Sequence, residues 1–195
     1  IGSSGPVAVT GLTGSSFLTA QARTALQGMV NQTSAQVLEN EYSKVVARSV
    51  ALQGQVASAI APISLATNFN PSGISNSLSD QLKVVARLIG ARNTLNVKRQ
   101  VFFVSIGGFD NHDYLMTDQP PLLAKVNEAM GAFYRATAEM GIANQVTAFT
   151  ASDFGRTLAS NGDGSDHGWG SHHFVVGGAV RGGQFYGVAP HVSVT

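Results

Sequence analysis

Cysteine is absent from the 195 residues. That excludes disulfides, Cys-ligated zinc sites and thiol nucleophiles, and it leaves the redox compartment open. Charge is scarce as well: 12% of residues are Asp, Glu, Lys or Arg, against 44% hydrophobic. So apolar a chain is not a disordered one, and its length is enough for one domain with a real core. No apolar run approaches the ~18 residues a membrane span requires. There is no basic cluster beyond Lys98-Arg99, despite a sequence pI of about 8.3, so nucleic acid is not an expected partner. No G-x-S-x-G elbow, G-x-G-x-x-G or P-loop occurs, which removes the usual markers of serine hydrolases and nucleotide binders. The opening "IGSSGPVAVTG" has neither the basic start nor the apolar stretch of a signal peptide, and it does not begin with Met. The chain is therefore expected to be a fragment or a processed product.

What is present is glycine, 22 residues of it, which favours tight loops around a site. The net charge of +1 conceals a division. Residues 1–100 carry eight Lys/Arg against three acids, whereas residues 101–195 carry four against eight. All five histidines, His112, His167, His172, His173 and His191, fall in the acidic part. Carboxylates and imidazoles together are a ligand set for hard and borderline divalent cations. Taken alone, the division reads as solvated acidic surface.

Periodicity divides the chain near residue 100. Residues 1–14 read as loop and short strand. From Ser15 to about Ala61 the text is helical, with Thr33 a candidate cap answered by Gln36, and with Leu38, Tyr42, Val45, Val46, Leu52, Val56 and Ile60 at roughly helical spacing. "NFNPSGISN" is a break, after which Ser77 and Asp80 form a second capping signal. Leu78, Leu82, Val85 and Ile89 then make the stripe of another helix, ending near Arg92. "VFFVSI", residues 101–106, is almost wholly apolar and suits a strand buried on both faces of a parallel sheet. A helix is expected from about Pro120 to Met140, a second buried strand in "QVTAFTAS" and a third in "HHFVVGG". Strand, helix, strand at this spacing predicts a βαβ unit. Residues 1–97 are expected to be a mainly helical layer and residues 98–190 a βαβ core.

In such sheets ligands bind beyond the carboxyl ends of the strands, and three polar loops fall there. "GGFDNH" offers Asp110 and His112, two apart after paired glycines; without context it is a turn carboxylate and a surface histidine. "SDFGR" offers Asp153 as metal ligand or base and Arg156 as a fork for phosphate or sulfate. The alternative is that Asp153 caps the next turn and Arg156 pairs with it. "SDHGWGSHH" is the strongest signal, with Asp166, His167, His172 and His173 within nine residues. Neighbouring residues at a strand start point to opposite faces, so His172 and His173 are not expected to bind the same ion. Trp169 either walls a pocket or packs the loop down, and packing is the preferred reading.

"VFFVSIGGFDNH", the helix after it, and "VTAFTASDFGRTLASNGDGSDHGWGSHHFVVGGAVRGGQFYG" together resemble the DUF1501 family, specifically over residues 98–190 and more loosely over 1–97. That family is bacterial, typically carries a twin-arginine export signal, and is a branch of the alkaline phosphatase/sulfatase-like superfamily. The resemblance implies a three-layer α/β fold, a mainly parallel sheet with helices on both faces, behind a helical N-terminal half. It implies a divalent metal ion, either zinc, manganese or calcium, and a periplasmic or secreted setting. Asp110 and His112 stand where the superfamily binds one metal. Asp153 stands where an Asp-His pair normally serves the other metal, but it is followed by Phe154, which cannot ligate. His167, His172 or His173 is then expected to complete the first site, or Asp166-His167 to replace the missing pair.

The superfamily's nucleophile segment, a "GGND"-like stretch in this family, has no counterpart here. Residues 1–195 are therefore expected to be a single domain or part of one, with an incomplete site. The expected function is divalent-metal-dependent hydrolysis of phosphate or sulfate esters, with Asp110, His112, Asp153, Asp166, His167, His172 and His173 as candidate ligands and Arg156 balancing charge on a small-molecule or glycan ester. The alternative is a non-catalytic exported metal- or glycan-binding protein that keeps the fold.

Overall fold

The structure, a computed structural model, describes residues 36–192 together with residues 21, 24, 25, 28 and 29. The strand expected within residues 1–14 and the Thr33 cap lie outside the described residues. The chain falls into two compact units, one taking residues up to Ser64 plus Arg87–Gln100, the other Leu65–Ala86 plus Val101 onward.

The first unit holds helix α1, Val37–Ile60, which starts from Gln36 in extended backbone without a side-chain cap. Of the expected stripe, Ile60 is buried, whereas Leu38, Tyr42, Val45 and Leu52 are exposed. The helix end is tied down by the Arg87 guanidinium, whose Nη2 donates to the Ile60 carbonyl at 2.9 Å. That satisfies one of the last carbonyls, which have no partner within a helix. Leu88, Ile89 and Ala91 are buried in the same unit.

The second unit carries the site. Helix α2, Ser77–Gly90, of which the residues up to Ala86 belong to this unit, begins one residue after its real cap: the Asn76 side-chain oxygen accepts from Ser79 N at 3.4 Å, and its Nδ2 donates to the Lys125 carbonyl at 2.9 Å. The expected Ser77 cap is thus displaced by Asn76, a cap of equal rank whose amide also has a second partner to serve. Leu78, Leu82 and Val85 form the buried stripe.

Helix α3 runs Leu115–Glu139, a turn and more earlier than Pro120. The chain enters it through Tyr114 in the left-handed region (φ 52°, ψ 28°). Pro120 and Pro121 lie inside the helix and leave two carbonyls of the preceding turn without their N–H donors. Val126, Ala129, Met130, Phe133, Ala136 and Thr137 are buried at helical spacing. At the far end Glu139 accepts from Ala66 N (2.6 Å), Thr67 N (2.9 Å) and Thr67 Oγ1 (2.7 Å), which holds its carboxyl below the usual range. A 3₁₀ turn, Ala143–Gln145, leads into β1, Thr147–Phe149, which pairs with β2, Val175–Gly177. Helix α3 packs against this turn and β2.

The expected three-layer fold with a mainly parallel sheet is not what these residues form. Among the described residues the sheet has two strands, β1 and β2, and they are antiparallel, with Thr147 opposite Gly177 and Phe149 opposite Val175. Antiparallel pairing follows from connectivity: no helix intervenes between β1 and β2, so the chain returns on itself rather than crossing over. Residues 101–106 form no strand. Val101 and Phe103 are 98% and 92% exposed, and Ser105 alone is anchored, its N–H and C=O meeting the Gln81 amide at 3.0 and 2.8 Å. An apolar run signals a buried strand only when neighbouring strands exist to bury it.

Candidate metal centre

The site sits at the far end of the excursion between β1 and β2. Beyond Phe149 the two arms keep meeting: Thr150 N donates to Phe174 O, and Arg156 forms antiparallel bridges with both His167 and Gly170. Thr157 N donates to Asp166 O at 2.8 Å, and Gly168 N to Gly155 O at 3.1 Å. The result is one long, irregular hairpin with its tip at residues 159–164. Glycine at 155 is required, because a Cβ there would lie 2.6 Å from the backbone of Gly168 and Gly170.

The tip is folded by its own polar groups. Gly164 N donates to Asn161 Oδ1 at 3.0 Å, and Ser160 Oγ to Gly164 O at 3.0 Å. It then docks on the chain that leads into α3. Asn161 Nδ2 donates to the His112 carbonyl at 3.0 Å, and Leu115 N to Asp163 O at 3.2 Å. Gly164 lies so close to the His112 carbonyl that a Cβ has no room. This docking carries "SDHG" onto "GGFDNH".

Three side chains then converge. Asp110 Oδ1 lies 2.8 Å from His167 Nε2 and 3.1 Å from His112 Nε2. One donor atom from each of Asp110, His112 and His167 falls within 4.8 Å of the others, a spacing that can hold a metal ion. All three residues are exposed. The imidazoles are tilted against each other at 4.9 Å, and Phe154 stacks on His167 at 3.8 Å and 13°. Behind His112, its Nδ1 donates to Asp166 Oδ1 at 2.8 Å, and Asn161 Nδ2 donates to that same oxygen at 3.0 Å.

The electrostatics follow from these bonds. The hydrogen bond from His167 holds the Asp110 carboxyl below its ordinary value, helped by the charges of both imidazoles and Arg156. Bonding to Asp166 pushes His112 up, with the charge of Asp110 assisting and that of Arg156 opposing. Asp166 is lowered by His112 first and by Asn161 second.

The candidates named from the sequence thus separate. Asp110, His112 and His167 come together, and Asp166 stands behind His112. Asp153, His172 and His173 are exposed and lie outside the cluster. His173 is held by Ser171 Oγ on its own arm of the hairpin at 3.0 Å and by Thr150 Oγ1 on the facing arm at 3.4 Å. Trp169 is half-buried, its ring 6.4 Å from that of His172. Arg156 turns its guanidinium onto backbone: Nη1 donates to Ser165 O and Nη2 to Phe109 O, the latter at 2.5 Å. It fastens the two ligand-bearing segments together, just beside the site. Asn161 was not singled out from the sequence. The signal was an Asn-Gly pair in "SNGDGS", a turn dipeptide whose side chain bonds nearby backbone.

Among the described residues no helix is long and apolar enough to cross a membrane. The sequence model of a family described as "Protein of unknown function (DUF1501)" matches residues 5–195. Neither a curated protein nor a solved structure matches the chain.

Proposed function

We propose that this chain, which belongs to the DUF1501 family, binds one divalent metal ion through Asp110, His112 and His167 and uses it in the hydrolysis of phosphate or sulfate esters. The observation that carries the reading is the convergence of one carboxylate oxygen and two imidazole nitrogens within 4.8 Å on an exposed surface. Two nitrogens and one oxygen suit a borderline cation such as zinc better than calcium, which prefers all-oxygen shells. A bound ion supplies Lewis-acid polarisation of an ester oxygen.

The chain's own residues do the rest. Asp110 sits between the two imidazoles and sets their spacing. Phe154 covers one face of His167 and fixes that ring's plane. The solvent-facing side of the triad stays open to an anionic group. Kinship with the alkaline phosphatase/sulfatase-like superfamily is part of the proposal and rests on the motifs around Asp110, His112 and Asp166-His167, not on the fold. A periplasmic or secreted setting belongs to it too and rests on the family resemblance.

Two observations favour a second reading, a metal- or glycan-binding protein without catalysis. The Arg156 donors are taken up by two carbonyls, and Phe154 stands where the superfamily has a second histidine ligand. The test is turnover of aryl phosphate and aryl sulfate esters by zinc- and manganese-loaded protein. Metal-dependent turnover that disappears in Asp110→Asn supports the hydrolase. Stoichiometric metal without turnover of either ester leaves the binding protein.

A further inference from the structure

The sequence makes Asp166 a candidate ligand, equal in rank to His167. The geometry separates them. His112 offers two ring nitrogens on opposite edges: Nε2 faces Asp110, and Nδ1 faces Asp166. A nitrogen bonded to a cation cannot also carry a proton, so the nitrogen on the cation's side must be Nε2 and the proton must sit on Nδ1. Asp166 Oδ1 is 2.8 Å from that Nδ1, placed to accept it. The carboxylate is not free to swing toward the triad, because Asn161 Nδ2 grips the same oxygen at 3.0 Å. Asn161 is itself fixed twice more, through its Nδ2 on the His112 carbonyl and its Oδ1 on Gly164 N, both at 3.0 Å. One turn therefore clamps both the backbone and the ring of His112.

We infer that Asp166 is a positioning residue: it holds His112 as the Nδ1–H tautomer with Nε2 presented to the ion, and Asn161 holds Asp166. The inference rests on the proposed metal site and deepens it, because it assigns the hydrogen-bonded carboxylate that orients one of the three ligands. Outer carboxylates of this kind set tautomer and ring orientation, and their loss typically weakens metal binding about 10–100-fold.

The test compares Asp166→Ala with Asp166→Asn in the whole chain. Because both bonds reach one oxygen, an asparagine amide oxygen in the same place accepts both. Zinc affinity is expected to fall about 10–100-fold in Asp166→Ala and to recover largely in Asp166→Asn, while zinc stoichiometry stays at the wild-type value. The ¹⁵N and ¹H resonances of His112 give the signature a merely structural role would not move. The zinc-loaded wild type and Asp166→Asn keep a protected Nδ1–H on a ring bound through Nε2, and Asp166→Ala loses that protection. Unchanged affinity in Asp166→Ala overturns the inference. So does loss of a metal–oxygen ligand by X-ray absorption in both variants, which would make Asp166 a ligand. If the wild type takes up no zinc, the metal site fails, yet the inference is still decided in the metal-free protein. A protected His112 Nδ1–H that survives Asp166→Ala overturns it there; one lost in Ala and kept in Asn supports it.

Discussion

Replacing Gly164 by alanine tests whether the tip of the hairpin assembles the site. The new Cβ would fall onto the His112 carbonyl oxygen, 2.5 Å from its carbon and 3.1 Å from Asp113 N. Carbon makes ordinary contacts at roughly 3.5–4.0 Å, so the tip must retreat by about an ångström or more. The retreat stretches two hydrogen bonds across the seam, Asn161 Nδ2 to His112 O (3.0 Å) and Leu115 N to Asp163 O (3.2 Å). Each contributes about 0.5–1.5 kcal/mol, and overpacking adds about 1–3 kcal/mol, so a loss of about 2–6 kcal/mol is expected. Asn161 moves with the tip, so Asp166 loses its anchor and zinc affinity falls about tenfold or more. Gly107→Ala is the control, because nothing lies within 4 Å of its added Cβ. Urea unfolding and zinc titration read both effects. A Gly164→Ala protein within about 0.5 kcal/mol of wild type, with unchanged zinc affinity, would refute the reasoning.

Other perturbations have equally definite outcomes. Phe133, 5% exposed on the inner face of α3, should cost about 3–5 kcal/mol as alanine, read by the urea midpoint at constant slope. Gly131 lies in the middle of α3, where an added Cβ meets only the end of the Arg135 side chain at 3.4 Å; Gly131→Ala should stabilise by about 0.5–1 kcal/mol in the same assay. The pH dependence has a fixed sign. Asp110 and Asp166 are lowered from 3.8, so their contribution is present above that value and fades as pH falls. His112 is raised from 6.5, so its contribution is complete below that value and is lost as pH rises through the raised one. Metal-free protein should therefore gain most from the cluster between about 3.8 and 6.5, and this maximum should vanish from the stability–pH profile of His112→Gln. Zinc needs the Nε2 proton removed, so its stabilising effect should grow as pH rises through the same His112 transition.

How far the sequence foretold this depends on which residue is asked. Asp110 and His112 are legible as candidates because their side-chain chemistry marks them whatever the fold. Which histidine of the last loop joins them is not, since His167 and His172 differ only in where the hairpin arms align, and the bridge between Arg156 and His167 sets that alignment. The stripe of α2 was read correctly, as 3.6-residue periodicity is local. Its cap was missed by one residue because Asn76 is chosen by a distant partner, the Lys125 carbonyl. "VFFVSI" shows the limit most clearly. Burial and pairing belong to neighbours that a local pattern cannot supply. The role of Arg156 was hidden for the same reason, because guanidinium chemistry serves carbonyls as readily as anions.

If Asp110, His112 and His167 form one cation site, all three ligands must be needed for binding. The most direct measurement is zinc binding by calorimetric titration, with His112→Ala and His167→Ala beside the wild type. The wild type is expected to bind one equivalent and both variants to lose affinity, with His172→Ala unchanged. Zinc bound equally well by all four proteins, or lost only in His172→Ala, would contradict it.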